Sequence, residues 1–416
     1  MLIDRILEKA FSVSGLGGRL TVTTASGYRF RAGDGPGPEA AIRFTDAAAE
    51  RALLLDPELR FGELYTDGRL LIERGTLPDF LAVLLARNHG SPPLWPVRGR
   101  GLARALRRRL LDRNDPARAR DNVARHYDLD ARLYGLFLDP DLQYSCAYYA
   151  EPDVGLEDAQ AAKKRHIGAK LLAGPGCRVL DIGCGWGGLG LYLLRVSGCD
   201  SVRGITLSRE QQSVAARRAA AAGLSDRATF ALEDYRATAG TFDRIVCVGM
   251  FEHVGPAHYD AFFQACRARL AEDGVMLLHT IGRTGMPAAT NPWITRYIFP
   301  GGHLPTLSEM MPPIEAAGLM LADLEVLRLH YAETLRDWRA RFLARRETVE
   351  HLYDARFGRM WDWYLASAEA AFRYEDAVVF QFQLTRRNDV VPRTRDYIAD
   401  AEARLKRAEP ASRTHA

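Results

Sequence analysis

The chain has 416 residues, 47% of them hydrophobic and 26% charged, with a formal net charge of +4. That length exceeds what a single core usually organises and predicts two domains, while the composition excludes a fibrous or wholly disordered chain. The small net charge gives no ground for nucleic acid as a partner.

The opening MLIDRILEKAF carries Asp4, Arg5, Glu8 and Lys9 where a signal peptide would have an apolar core. No later run approaches the roughly 20 apolar residues that span a bilayer. A cytoplasmic protein is expected. The part before about residue 120 mixes short β-type pieces (20–24, 28–31, 41–44) with a Gly/Pro turn at 33–38 and helical stretches near 47–54 and 77–86, a pattern that suits a small α+β module. SPPLWPVRGRG, from Ser91, breaks periodicity and reads as the start of a linker. Between Arg98 and Arg113 lie seven arginines against the single acid Asp112. As a helix this stretch places Leu102, Leu106 and Leu110 on one side with arginines around them, which suits either a surface meeting anionic lipid headgroups or a basic linker helix packed on its own protein.

From Arg178 the rhythm changes. RVLDI, VRGIT, ATFALED, FDRIVCVGM and GVMLLHTI alternate with helical stretches, the signature of a parallel sheet covered on both faces, so the fold class is α/β. An irregular Pro/Gly/aromatic segment follows His279 to about Pro305 and reads as an active-site wall. Further helices and a strand near 377–385 come next, and the tail from Glu409 reads as frayed. The domains are therefore taken as 1–120 and 121–416. The six cysteines show no CxxC pairing, which implies reduced thiols and no metal site.

In LDIGCGWGG, Asp181 closes a strand and Gly183, Gly185 and Gly187 turn into a helix, allowing the backbone to approach a nucleoside cofactor. Dinucleotide enzymes use a similar turn, but they usually place an acid about 20 residues on to hold a ribose hydroxyl. Here that place is ITLSREQ, with uncharged Thr206 and Gln211. The acidic pair Glu233–Asp234 follows the third strand instead, where a carboxylate can accept from an adenine amino group. NAD is the lesser reading.

Seven segments taken in order, YSCAYY at Tyr144, LDIGCGWGGL at Leu180, GITLSREQ at Gly204, VGMFEHVG at Val248, LLHTIG at Leu277, PWITRYIFPGGHLPT at Pro292 and HYAETLRDW at His330, resemble the motifs of the cyclopropane-fatty-acyl-phospholipid synthases and their mycolic acid relatives. FGELYTDGRL at Phe61 is similar to the N-terminal module of the longer bacterial members. The resemblance implies a class I S-adenosylmethionine-dependent methyltransferase domain, Rossmann-like, with a smaller N-terminal α+β domain. It implies a cofactor site shared by Tyr144, Ser145, Asp181, Gly183, Gly185, Gly187, Thr206, Leu207, Gln211, Leu232 and Glu233. It further implies a bound bicarbonate held by Cys146, Glu252, His279 and Tyr331, with Ile281 as a backbone contact. The implied substrate is an unsaturated phospholipid acyl chain at the inner face of the membrane, and a homodimer is compatible with the pattern. Some members carry a cysteine in the segment matching YLASAEAAFR. Ser367–Ala368 stand there in this chain, so a thiol nucleophile at that point is excluded.

An isolated alkene is a poor nucleophile and must be held in line with the methyl–sulfur bond, with water kept from the cation that forms. Tyr148, Phe251, Trp293, Tyr297 and Phe299 suit the lining of such a pocket, or else plain core. A proton must then leave before a ring closes, and bicarbonate in a cradle of donors is a base of suitable strength. His279 and Tyr331 can donate to it, Cys146 weakly, whereas a Glu252 carboxylate only accepts. His253 is read as structural, and His126 as part of the mouth of the cofactor site. Three other readings stay open. They are a methyl- or methylene-branched product, a lipid carrier on a vestigial methyltransferase fold, and a small-molecule O- or N-methyltransferase.

Overall fold

The computed structural model describes residues 2–13, 15–86 and 131–410. The basic stretch 98–113, the linker from Ser91, the boundary near residue 120 and His126 lie outside the described residues. The described residues form two compact units, and the division is not contiguous in sequence. One unit joins the residues before position 87 to Ala288–Gly301 and Ala332–Ala377. The other holds the described parts of 131–287, together with Gly302–Tyr331 and residues 378–410. The contiguous partition 1–120 and 121–416 therefore misses two later segments that make their contacts with the N-terminal residues.

In the first unit, strands β1 (Arg19–Thr23), β2 (Arg29–Ala32), β3 (Glu39–Phe44) and β4 (Leu70–Arg74) form a sheet in the order β2-β1-β3-β4. The β1–β2 and β3–β4 pairs are antiparallel and β1–β3 is parallel. The expected strands and helices fall within two residues of their places, but helices Leu2–Ser12 and Pro57–Thr66 and strand β4 were not anticipated. Helix Ala355–Tyr374 packs on Pro57–Thr66 and Leu77–Leu85, which is how a late segment joins the N-terminal residues. Its buried Asp362 accepts from Tyr65 Oη and Arg339 Nε, each at 2.7 Å, so the carboxylate is satisfied by two donors from different elements. Helix Pro292–Tyr297 is capped by the Asn291 side chain and lays Trp293 on Gly62. A Cβ at Gly62 would stand 2.5 Å from Trp293 and 2.6 Å from Trp363, so only glycine lets both indoles close on this helix.

The second unit is built on a seven-stranded sheet. Its strands are β5 (Arg178–Ile182), β6 (Ser201–Thr206), β7 (Ala228–Leu232), β8 (Phe242–Val248), β9 (Leu270–Arg283), β10 (Met320–Leu327) and β11 (Ala377–Thr385), in the order β10-β11-β9-β8-β5-β6-β7. Pairs β5–β6, β5–β8, β6–β7 and β8–β9 are parallel and β10–β11 is antiparallel. Helices on both faces explain why β11 is buried at every position and why these strands read as apolar runs without alternation. The chain does not fray at Glu409. Its carboxylate accepts from Arg165 Nη1 at 2.6 Å and Tyr192 Oη at 2.7 Å. Among the described residues no helix is long and apolar enough to cross a membrane.

The Gly62 contact yields a test. Gly62→Ala is expected to lower the unfolding free energy by about 1–3 kcal/mol through overpacking, read as a lower melting temperature. An unchanged melting curve would show that the indoles have room to give.

Candidate active site

Strand order sets the location of the site. β5 is flanked by β6 on one side and β8 on the other, and the crevice outside the carboxyl ends of strands at such a switch point is where open α/β sheets bind ligands. The register brings the expected residues to that edge. Asp181 pairs with Gly204 and Val246, Thr206 with Leu232, and Val248 with His279. Thr206, Leu232, Val248 and His279, distant in sequence, thus lie level with one another, two residues beyond Asp181.

The glycine turn after β5 has φ of +79° at Gly183, +54° at Gly185 and +81° at Gly187. These glycines do different work. A Cβ on Gly183 would approach Met250 Cβ to 2.7 Å, and one on Gly187 would meet Ala215 and Phe230 at 2.9 Å. Gly187 is thus a packing position at the start of helix Gly188–Arg195. At Gly185 a Cβ would meet nothing within 4 Å, so that backbone faces open space. Asp181 Oδ2 is buried without a hydrogen-bond partner, and burial raises the carboxyl pKa to about 7.

After β6, Thr206 Oγ1 donates to Gln211 Oε1 at 2.8 Å while Ser208 caps helix Arg209–Ala221 through Gln211 N. Leu207 is half-buried. After β7, Leu232 is 43% exposed, an apolar side chain left open at the carboxyl edge. Glu233 Oε2 pairs with Arg203 Nη2 at 2.5 Å, and Asp234 is held by Arg236. Tyr144 packs edge-on to Tyr134, and Ser145 Cβ lies 3.9 Å from the place of a Cβ on Gly249, just after β8. An orphaned acid, an open glycine backbone and an exposed apolar residue at one strand edge fit a nucleoside cofactor.

Beside it, Glu252 follows β8 on a 3₁₀ turn. Its Oε1 accepts from Ile281 N at 2.6 Å, and its Oε2 is buried with no partner. The N–H expected to contact an anion directly is thus given to Glu252 instead. Burial raises the Glu252 pKa to about 7, so near neutrality the protonated carboxyl can also donate. His279 is buried on β9, its pKa pushed down to about 3 by burial, and its Nδ1 lies 3.1 Å from Gln381 Nε2. A neutral ring whose Nδ1 accepts carries its proton on Nε2. Cys146 is buried, its Sγ 3.3 Å from Ala147 O. Tyr331 opens helix His330–Ala344. The preceding His330 accepts from Tyr149 N at 2.9 Å and stacks on Tyr148 at 4.8 Å, which ties this helix start to the segment bearing Tyr144, Ser145 and Cys146. An orphaned carboxyl oxygen and a neutral imidazole donor fit a small oxyanion.

The expected aromatic lining is not what several of these rings provide. Both faces of Tyr148 are covered, by His166 at 4.3 Å and His330 at 4.8 Å. Phe251 is fully buried among Tyr259, Phe262 and Phe263. Trp293 is buried against Trp363. Sequence reading passed over Gln160, Lys163 and Gln381, which support the site from behind. A polar residue inside a helix or strand pattern carries no local mark of the atom it will meet.

Sheet order, glycine turn and strand-end acids define a Rossmann-like methyltransferase that uses S-adenosylmethionine. Residues 114–382 match the family model for mycolic acid cyclopropane synthetase. Cyclopropane-fatty-acyl-phospholipid synthase of Escherichia coli is 40% identical over 348 residues, covering 83% of this chain and 88% of that protein. Tuberculostearic acid methyltransferase UfaA1 of Mycobacterium tuberculosis is 40% identical over 282 residues, 64% of this chain and 65% of that protein. Among solved structures, mycolic acid cyclopropane synthase CmaA1 complexed with SAH and CTAB superposes with a TM-score of 0.60 at 33% identity, covering 64% of this chain and 97% of that one. The chain belongs to the mycolic acid cyclopropane synthetase family and is an S-adenosylmethionine-dependent methyltransferase.

Two outcomes check the site. Gly185→Ala, whose new methyl enters open space but whose φ of +54° costs a non-glycine residue about 1–2 kcal/mol, is expected to lower the melting temperature modestly and weaken S-adenosylhomocysteine binding about tenfold or more in calorimetry, the equivalent of ~1.4 kcal/mol; unchanged affinity would place the cofactor elsewhere. The second concerns Glu252. A carboxyl whose folded pKa is raised to about 7 binds its proton more tightly folded than unfolded. Its contribution to stability is complete below the unfolded pKa, about 4.3, and is lost as pH rises through about 7. Glu252→Gln should therefore gain melting temperature relative to wild type between pH 5 and pH 8; a constant difference would contradict the shifted pKa.

Proposed function

We propose that the enzyme transfers the methyl carbon of S-adenosylmethionine to the double bond of unsaturated phospholipid acyl chains at the inner face of the membrane and closes a cyclopropane ring, with bicarbonate as the base. The observation that carries this reading is Glu252, a buried carboxyl with one oxygen held by Ile281 N and the other unpaired, on the strand edge that carries the cofactor turn. The 40% identity to a cyclopropane-fatty-acyl-phospholipid synthase over most of both chains supports the substrate class.

Bound at Tyr144, Ser145, Asp181, Gly183, Gly185, Thr206, Leu207, Gln211, Leu232 and Glu233, the sulfonium cofactor would supply an electrophilic methyl group. A bicarbonate among Cys146, Glu252, His279 and Tyr331 would supply a base for the proton that must leave before the ring closes. The chain's own residues do the rest by position. Ile281 N holds Glu252 in one orientation, so that the free Oε2 is fixed and not searching among rotamers. Gln381 gives His279 a single outward N–H. Low polarity around both groups strengthens each hydrogen bond they make to an anion. Tyr331 completes the donor set.

A second reading is favoured by one comparison. The relative named for tuberculostearic acid is as similar over the part it covers as the phospholipid synthase, so a methyl- or methylene-branched lipid is the alternative product.

Incubation of purified protein with S-adenosylmethionine and vesicles of unsaturated phospholipid should give acyl chains heavier by one CH₂, and fragmentation should show a ring and no branch. No product with any unsaturated lipid would remove the proposal; a branched product would select the alternative. Glu252→Gln and Tyr331→Phe are each expected to lower turnover by orders of magnitude while S-adenosylhomocysteine still binds. Undiminished rates in both would refute the anion cage.

A further inference from the structure

Beneath the segment that carries Ser145 lies a buried cation to which the proposed mechanism gives no part. Lys163, on helix Leu156–Lys170, is only 1% exposed. Its Nζ donates to Gln143 Oε1 at 2.5 Å and to Ser145 Oγ at 2.8 Å. Three residues earlier on the same face, Gln160 Nε2 donates to the carbonyls of Gln143 and Ser145 at 3.2 and 3.0 Å. Gln143 is fixed in turn by Asp139 and Asp141, through its backbone N at 2.8 Å and its Nε2 at 3.1 Å.

Both acceptors of the ammonium are neutral oxygens, and the carboxylates of Asp139 and Asp141 act on it only through space, so taking the charge out of water is still costly. A methionine would fill the volume without that cost, so packing alone does not account for a lysine here. Burial lowers its pKa to about 8, which leaves it cationic at neutral pH. An ammonium has protons to give and no lone pair. On the Lys163 bond, Ser145 Oγ must therefore be the acceptor, and the hydroxyl has to send its own proton elsewhere. Ser145 stands beside Gly249, at the strand edge where the glycine turn lies.

We propose that Lys163 is a positioning residue for cofactor binding: by holding Ser145 Oγ as an acceptor it makes the hydroxyl present its proton to an acceptor group of S-adenosylmethionine. This rests on the assignment of Ser145 to the cofactor site. Lys163 acts through Ser145 and makes no contact with the cofactor itself.

The test is a double-mutant cycle on the full chain, with S-adenosylhomocysteine affinity measured by calorimetry. Lys163→Met and Ser145→Ala should each weaken binding about tenfold, as expected for loss of a hydrogen bond to a charged or oriented group. In the Ser145→Ala background, Lys163→Met should add little, because the residue it orients is gone. In steady state, Lys163→Met should raise KM for S-adenosylmethionine with kcat at saturation kept within a few-fold, a split that general loosening of the fold would not give. If circular dichroism shows Lys163→Met unfolded, Lys163→Gln, whose amide can accept from Ser145 as well as donate, carries the same cycle. Unchanged affinity in the lysine variant, or losses that multiply in the double variant, would overturn the proposal while Ser145 keeps its place. A neutral Ser145→Ala would overturn both.

Discussion

The parallel pairing of β5 with β6 on one side and β8 on the other is the constraint from which the rest of the second unit follows. It fixes Thr206, Leu232, Val248 and His279 at one level of the sheet, two residues beyond the level of Asp181, so that the loops leaving the carboxyl ends of β5, β6, β7 and β8 enter the same crevice. A shift of one residue in any of these pairs would turn every side chain of that strand to the other face and scatter the site.

Burial then sets the chemistry of what that edge presents. The same desolvation raises the carboxyls of Asp181 and Glu252 to about 7, lowers Lys163 to about 8 and lowers His279 to about 3. Each shift favours the neutral form, and the consequences differ by residue type. His279 becomes a fixed neutral donor, the carboxyls are poised to exchange protons near neutrality, and Lys163 keeps its charge only narrowly. Orphaned oxygens on Asp181 and Glu252 would be a defect in a purely structural core; at a ligand-binding edge they are acceptors held ready.

The first unit shows how a chain can return to complete an earlier module. Tyr65 and Gly62 are useless as folding signals until Asp362, Trp293 and Trp363 arrive from more than two hundred residues later. A hydrogen bond from Tyr65 to a buried acid and a glycine wedged between two indoles then specify the pairing.

The sequence by itself determined the strand-and-helix rhythm from Arg178, the glycine turn and the motif order that marks the family, because those depend on local periodicity and on backbone conformations only glycine adopts cheaply. It could also rank residue types by their capacity to hold an anion. Only the tertiary structure decided that Phe251 and Trp293 are buried rings and not open pocket walls, that Ile281 N serves Glu252, and that residues 288–301 and 332–377 belong with the N-terminal module. It alone placed Lys163 and Gln381 behind the residues they orient. Periodicity reports which face of an element is apolar; it does not report which neighbour arrives on that face, and burial, hydrogen-bond partners and pKa shifts are properties of the neighbour.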